Sequence, residues 1–243
     1  MSAQVTPPMG SDSAWRRLYA AGSAAAAGYV VLVLVPIVLV FAAPVPPTTG
    51  GPLLAYIAEH RAVYLIELVC FVGLAVPGLV VFAALSVALR SADLGIAALG
   101  GLLGVTSETI ALALGSSPQS LHGGLVVLAN RHSQAGSPTE RASLASSADA
   151  LIAATNAVSW AGILTAAAIL VLSLLMRRIG WGTPLAALGI LTGTLGIVAE
   201  ALRPLIGASY AIYGLLLPIW FGMVGWRLLS LTRSLTTPHA SAR

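Results

Sequence analysis

Charged residues are scarce in this sequence. Only 8% of its 243 residues are Asp, Glu, Lys or Arg, whereas a soluble domain carries about 25%. Lysine is absent, and all twelve basic residues are arginine, which is typical of a GC-rich bacterial genome. So few charges cannot cover the surface of a folded soluble domain. The composition therefore excludes an ordinary soluble protein and predicts an integral membrane protein.

Residue types that build metal and cofactor sites are also few. The single cysteine, Cys70, cannot form an internal disulfide, and no cysteine–histidine cluster has the spacing of a zinc site. The four histidines fall outside the predicted membrane segments, which disfavours haem held between two histidines of a bundle. No Walker loop, dinucleotide fingerprint or basic run is present. The sequence thus predicts no cofactor, no metal and no nucleic-acid partner.

Long apolar runs dominate what remains. Hydrophobic residues make up 58% of the chain, and the runs are rich in Leu, Val, Ala and Ile. A helix needs roughly 20 apolar residues to cross a bilayer. Six segments reach this length, at residues 18–43, 62–89, 94–115, 150–176, 183–203 and 210–231. The predicted fold class is all-α, a polytopic bundle of six transmembrane helices over residues 18–231, flanked by tails at 1–17 and 232–243.

The positions of the arginines predict the orientation, because Lys and Arg are enriched in cytoplasmic loops. With both termini inside, eight of the twelve arginines are inside and four are outside, namely Arg61, Arg131, Arg141 and Arg203. Both termini are therefore predicted to be cytoplasmic in a cell inner (plasma) membrane, with the connections 44–61 and 116–149 outside. The first apolar run is longer than the ~7–15 residues of a signal peptide, so we interpret it as a retained helix.

Connection lengths and turn signals refine this picture. The short connections 90–93, 177–182 and 204–209 make the helices that flank them antiparallel neighbours. In the long 116–149 connection, Ser137-Pro138-Thr139-Glu140 has the pattern of a capping box with proline at the first helical position. The fourth helix is therefore expected to begin near Pro138. The apolar run Leu125–Ala129 is compatible with either an interfacial helix or an ordered loop.

Two hairpins resemble each other in sequence. One runs from Leu85 to Glu108 and the other from Leu172 to Glu200. Each turns on the predicted cytoplasmic side and ends at a glutamate in the helix that runs outward. This similarity is compatible with a parallel internal repeat or with the shared Ala, Leu and Gly composition. The spacings Gly100/Gly104 and Gly189/Gly193 place small residues on one face of a helix and predict close helix contact.

Polar groups inside the predicted helices share one depth. Glu108 lies roughly 20 Å along the third helix, in the outer third of the bilayer. Glu67 is about two turns from the outer end of the second helix, Glu200 is in the last turn of the fifth, and Asn156 is in the outer half of the fourth. Arg203 follows Glu200 at i+3, on the same face. A charge at mid-membrane costs on the order of 2.5–3.5 kcal/mol, so such groups normally face the bundle interior.

Two interpretations of this cluster stay open. In the functional one, an outward-opening polar pocket is lined by Glu67, Glu108, Asn156, Glu200 and Arg203. A carboxyl group that is held away from water and close to another carboxyl group could carry a proton there. In the structural one, Glu67 and Glu200 reach water from helix ends, and Glu200 and Arg203 form an ion pair that ends a helix. Glu108 is the hardest of the five to explain structurally. No catalytic residue is assigned.

The last third of the chain carries a family resemblance. The matching stretches are Leu172–Arg178, Thr183–Pro204 ("TPLAALGILTGTLGIVAEALRP") and Ala211–Leu231 ("AIYGLLLPIWFGMVGWRLLSL"). They resemble a bacterial family of small multi-helix membrane proteins classed as a domain of unknown function. Because that family has no assigned activity, the resemblance implies a membrane fold and no particular site or substrate.

Four functions are compatible with these features. The first is binding of a small hydrophobic or lipidic ligand in the outward-facing pocket, with membrane lipids as partners. The second is an enzyme with Glu108 as general acid, by analogy with membrane-embedded terpene cyclases of similar size, although these typically have seven helices. The third is a proton-coupled transporter, which the clustering of the glutamates on one side disfavours. The fourth is a structural or regulatory subunit. The oligomeric state is left open.

Overall fold

The computed structural model describes residues 10–114 and 121–234, and these residues form helices and turns with no strand. Within them lie a short 3-10 turn at Gly207–Ser209 and eleven α-helices. The helices are α1 (Gly10–Leu39), α2 (Gly50–Glu59), α3 (Arg61–Gly73), α4 (Ala75–Leu89), α5 (Leu94–Leu114), α6 (Gly123–Gln134), α7 (Pro138–Thr155), α8 (Trp160–Arg178), α9 (Thr183–Ala201), α10 (Arg203–Ile206) and α11 (Tyr210–Ser234).

Six stretches of the described chain are long and apolar enough to cross a membrane. They contain α1, α3 with α4, α5, α7 with α8, α9, and α10 with α11, and each overlaps one of the six predicted segments. In the fourth stretch the acidic residues lie in α7 and α8 is charged only in its last turn, so α8 is its apolar part. The all-α polytopic fold is therefore confirmed. The second stretch is interrupted at Leu74, where α3 ends and α4 begins. Pro77 explains the interruption, because it has no N–H to donate to the carbonyl of Gly73 one turn earlier.

The fourth predicted helix needs a larger correction. A helix does begin at Pro138, and the Ser137 hydroxyl accepts the predicted capping bond from the Glu140 N–H at 3.2 Å. That helix, α7, ends at Thr155 instead of continuing into the membrane. The Ser159 hydroxyl accepts a hydrogen bond from the Gly162 N–H at 3.0 Å and starts a new helix, α8. Asn156 and Ser159 therefore lie in a break between two helices, not inside the fourth span.

Helices α2, α6 and α7 pack against one another outside the spans, and we call them the cap. Helix α6 (Gly123–Gln134) contains the apolar run for which the sequence left helix and loop open. Helix α2 was not predicted at all, because residues 44–61 resemble a Pro/Gly-rich loop. The cap has its own apolar core, which includes Leu53, Leu54, Ile57, Leu121, Leu125, Ala148 and Ile152.

The cap is tied together and to α3 by polar contacts. The Gly50 N–H donates to Asp149 Oδ1 at 2.7 Å, which joins the start of α2 to α7. Arg61 Nη1 donates to Asn130 Oδ1 at 3.1 Å, which joins α3 to α6. The Tyr64 hydroxyl accepts from the His122 N–H at 3.1 Å. The cap therefore sits at the end of the bundle where α3 begins.

The spans form a second core of their own. Helix α1 packs against α11 and α4, α5 packs between α4 and α8, and α8 packs against α9. Tyr29 stacks on Phe221 with ring centroids 3.8 Å apart, and Phe82 meets Phe221 edge-on at 5.9 Å. The neighbours predicted from the three short connections are therefore present, as α4 with α5, α8 with α9 and α9 with α11.

Glycines allow the helices of the two hairpins to approach closely. A Cβ placed on Gly193 would lie 2.7 Å from the carbonyl oxygen of Ala166 in α8, so the predicted close contact exists there. Gly100 and Gly104 also lie in close helix contact, but with two different helices. Gly100 faces Leu172 of α8, whereas Gly104 faces the ring of Phe82 in α4.

Candidate functional site

Glu200, Arg203 and Tyr210 form the most tightly connected polar group in the described bundle. The Tyr210 hydroxyl donates to Glu200 Oε1 at 2.5 Å, and Arg203 Nη1 donates to Glu200 Oε2 at 3.5 Å. The Arg203 guanidinium carbon lies 5.3 Å from the centroid of the Tyr210 ring, a cation–π distance. The predicted i, i+3 ion pair is therefore present, and it is buried, with residue exposures of 3% for Glu200 and 8% for Arg203.

The Arg203 guanidinium is only partly satisfied by this arrangement. Its Nε and Nη2 atoms are buried and have no hydrogen-bond partner among the described residues. Arginine carries five N–H donors, and one contact of 3.5 Å engages few of them. A buried charge without partners costs several kcal/mol. Arg203 is therefore the charged side chain that most needs a further partner.

Arg203 lines a cavity between the cap and the bundle. The cavity has a volume of about 240 Å³. Its wall includes residues of α5, of the end of α7, of the break before α8 and of the first turn of α8. Side chains that define it are Ile110, His122, Ala154, Val158, Trp160 and Arg203. Most of this wall is apolar, with the guanidinium as its charged group.

Glu108 occupies a different place, deeper among the spans. Its side chain is 7% exposed and lies over Gly78 of α4, where a Cβ would come within 2.8 Å of the carboxyl carbon. The neighbouring Ser107 hydroxyl donates to the Ala161 carbonyl at 2.5 Å and also contacts the Thr165 hydroxyl. Glu108 lines neither of the two cavities described in this section.

A tyrosine links Glu108 to the group around Glu200. The ring of Tyr213 packs on Gly196 of α9, and its phenol interacts electrostatically with both Glu108 and Glu200. Tyr29 of α1 also interacts with Glu108 and with Tyr213. Glu108 and the Glu200–Arg203 pair therefore both lie toward the cap end of the bundle, at two separate places, against Gly78 of α4 and Gly162 of α8 respectively.

Glu67 lies apart from both places, whereas Asn156 lies between Thr155 and Ala157 in the wall of the cavity that Arg203 lines. Glu67 is 4% exposed, and its charge acts on Tyr56 and Tyr64 at the boundary with the cap. Its Oε2 atom has no hydrogen-bond partner among the described residues. Burial, and secondly the charge of Glu67, raises the pKa of the Tyr56 hydroxyl in α2. Asn156 ends α7 and is half-buried beside the cavity wall. The five residues predicted as one pocket are thus distributed over three places.

A second cavity, of about 310 Å³, lies at the opposite end of the bundle. It is formed by the start of α9 and the middle of α11, and Trp181 and Arg227 are among its lining residues. The Arg227 guanidinium carbon lies 5.6 Å from the Trp181 ring centroid. Sequence reasoning did not identify this cavity, and of the residues that line the cap-side cavity it predicted only Arg203 as a site residue. Among the described residues, no group of three or more His, Cys, Asp and Glu side chains is placed to hold a metal ion.

Comparisons of the chain with protein-family models, with curated proteins and with solved structures found no match. The resemblance to a bacterial membrane-protein family therefore stays a prediction. What the structure itself defines is a polytopic helical membrane protein with a cap and a cavity beneath it.

Proposed function

We propose that this is a multi-pass bacterial inner-membrane protein that binds a small amphiphilic ligand in the cavity between the cap and the bundle. The observation that carries the proposal is the combination found at that cavity. Its wall is mostly apolar, and its charged group, Arg203, is buried with unused donors. Ligand sites are typically concave and apolar with a few well-placed polar groups.

The position of the charges supports binding over the other candidate functions. An enzyme with Glu108 as acid requires that carboxyl at a cavity, and Glu108 lines neither cavity described above. A proton-coupled carrier requires ionisable groups along both halves of the bundle. The buried glutamates and Arg203 belong to the cap-side ends or halves of their helices. This one-sided distribution of ionisable groups agrees with a ligand site at the cap end of the bundle.

The proposal is tested by filling the cavity. Ala153 and Ala154 of α7 are both exposed, but only Ala154 is among the residues that line the cavity. The protein is purified in mild detergent as wild type, Ala154→Phe and Ala153→Phe, and the co-purified small molecules are identified by mass spectrometry. A ligand present in the wild type and in Ala153→Phe is expected to be lost from Ala154→Phe. Identical profiles in all three proteins would contradict the proposal.

A further inference from the structure

We propose that the cavity at the end of the bundle opposite the cap binds the head group of an anionic phospholipid, whose phosphate is held by Arg227. This site is separate from the cap-side cavity, and the inference does not depend on the function proposed for that cavity. It stands on the position of one guanidinium group, on the charge of the surrounding surface, and on the apolar side chains that lead from the cavity along the spans.

The guanidinium group of Arg227 is part of the cavity wall. Arg227 and the buried Trp181 both line the cavity. The guanidinium carbon lies 5.6 Å from the centroid of the Trp181 ring, so the charged end of the arginine side chain lies over the face of an indole that itself borders the cavity. This cation–π contact holds the guanidinium group in the wall.

Two of the three nitrogen atoms of Arg227 are accessible to a ligand. Nε is buried without a partner among the described residues, so it takes no part in the proposed site. Nη1 and Nη2 make no hydrogen bond or ion pair within the described residues, and neither is among the buried atoms that lack a partner. Both therefore keep accessible surface. Together they can donate to two oxygens of one phosphate, because the planar guanidinium group matches phosphate geometry.

The surface around the cavity is positively charged. No carboxylate lines the cavity among the described residues, and Asp93 at the same end of the bundle lies 4.0 Å from Arg178. The other arginines of this end are Arg16, Arg17, Arg90, Arg177, Arg178 and Arg233. An anionic head group is attracted by these charges. The ammonium of a zwitterionic head group would lie among arginines with no carboxylate in the wall to pair with it.

The cavity lies where a lipid head group meets the bundle. Tryptophans are enriched at the membrane–water interface, and the cavity is lined by both Trp181 and Trp226, of which Trp226 is 69% exposed. Exposed apolar side chains continue from there along both helices, such as Leu191 of α9 and Ile219 of α11. Acyl chains attached to a phosphate at Arg227 can therefore lie along the α9–α11 surface while the head group occupies the cavity of about 310 Å³.

The test compares two lipids that differ only in the group attached to the phosphate. Binding of dimyristoyl phosphatidylglycerol and of dimyristoyl phosphatidylcholine to the delipidated protein in detergent is measured by native mass spectrometry. The wild type is expected to bind the anionic lipid about tenfold more tightly, because the choline ammonium is repelled by the arginines. Equal affinities would overturn the inference. Inorganic phosphate in large excess is expected not to displace phosphatidylglycerol, and displacement would define a site for free anions instead.

Two arginine variants of α11 separate the site from the general charge of this end. Arg227 lines the cavity, whereas Arg233 is exposed on the same helix and does not. Arg227→Gln is expected to lower the affinity for phosphatidylglycerol to that for phosphatidylcholine, and Arg233→Gln, which removes the same charge, is expected to keep the preference. A preference retained in Arg227→Gln, or lost equally in both variants, would overturn the site.

A second pair of variants decides the question if Arg227→Gln does not fold. Trp226 is exposed, so its truncation leaves the packed core unchanged. Trp226→Ala is expected to weaken phosphatidylglycerol binding severalfold. Ile219→Ala, an exposed apolar change two turns earlier on α11 and outside the cavity, is expected to have no effect. Equal affinities of these two variants would overturn the inference.

Filling the other cavity tests where the lipid binds. Phosphatidylglycerol is expected to bind Ala154→Phe as it binds the wild type. Loss of the lipid from Ala154→Phe, with binding kept in Arg227→Gln, would assign the lipid to the cap-side cavity and overturn this inference. Because the ligand test of the cap-side cavity can fail while phosphatidylglycerol binding persists, the two proposals succeed or fail separately.

Discussion

At the scale of single residues, two buried glutamates are accommodated by glycines of the preceding helix. Glu108 of α5 lies over Gly78 of α4, and Glu200 of α9 lies over Gly162 of α8, so that a Cβ on either glycine would collide with the carboxyl group. The two hairpins that resemble each other in sequence thus share an arrangement of side chains. Packing around each carboxyl is therefore specified by the partner helix as well as by the glutamate.

Gly78→Ala is expected to destabilise the protein. The added Cβ would lie 2.8 Å from the Glu108 carboxyl carbon, and overpacking of this kind costs typically about 1–3 kcal/mol. Thermal unfolding in detergent should show a lower melting temperature. Gly28→Ala is the control, since no atom lies within 4 Å of the Cβ it would introduce. Equal melting temperatures for the two variants would show that Glu108 moves aside without cost.

Glu108→Gln is expected to leave the co-purified ligand unchanged. The reason is that Glu108 lines neither of the two described cavities. Mass spectrometry of the co-purified small molecules measures this directly, with Ala154→Phe as the variant expected to lose the ligand. Loss of the ligand from Glu108→Gln, with the fold intact, would show that Glu108 belongs to the ligand site.

The sequence predicted part of this site because part of it is local. Glu200 and Arg203 are one helical turn apart, so spacing alone indicated that they meet. The cavity wall combines residues from 110 to 161 of the chain with Arg203. These residues come together only when the cap folds onto the bundle, and no local pattern reports that. For the same reason, the separation of Glu67 from Glu108 could not be predicted from their shared depth.

At the scale of elements, the cap depends on a small residue at the start of α2. Gly50 lies against the backbone of α7, where its Cα faces the Ala145 carbonyl and its N–H reaches Asp149. The Gly-Gly-Pro sequence that resembles a loop is therefore a helix start. Pro52 falls in the first turn of α2, where a proline is tolerated because the first N–H groups have no partner in the helix.

Gly50→Ala is expected to loosen the cap while leaving the spans intact. Its Cβ would overlap the Ala145 carbonyl oxygen, whereas a Cβ on the neighbouring Gly51 would make an ordinary contact of 3.7 Å. Hydrogen exchange in α2, α6 and α7 should therefore be faster in Gly50→Ala than in Gly51→Ala. The exchange of α4 and α8 should match the wild type. Slow cap exchange in both variants would contradict this account of α2.

The helices differ in how well the sequence defines them. The six spans were predicted because length and apolarity alone identify them. The break between α7 and α8 was missed because residues 150–176 form one largely apolar segment in sequence, in which Asn156 and Ser159 are two of a few uncharged polar residues. The cap helices were missed or left ambiguous because they are short and gain their stability from packing against one another.

At the scale of the whole molecule, the order of the spans places the cap on one side of the membrane. Helix α2 follows the first span, and α6 and α7 follow the third. Both connections therefore emerge on the same side, opposite to the start of α1 and the end of α11. The arginine distribution predicts that this side is outside the cell.

Labelling of introduced cysteines tests that orientation. In a Cys70→Ala background, Ser143→Cys on the exposed side of α7 is expected to react with a membrane-impermeant maleimide in intact cells. Arg178→Cys, exposed at the opposite end of the bundle, is expected to react only after the membrane is opened. Labelling in the reverse order would place the termini outside and the cap in the cytoplasm.

The hydrogen bond between Gly50 and Asp149 joins parts of the chain that are made at different times. The two residues are 99 positions apart, and a ribosome adds about 5–20 residues per second. Helix α2 therefore leaves the ribosome about 5–20 s before its partner on α7 exists. The second and third spans are made in that interval, and the wall of the cap-side cavity is complete only after Arg203 has been added. The cavity proposed to bind the ligand is thus absent until most of the chain has been translated.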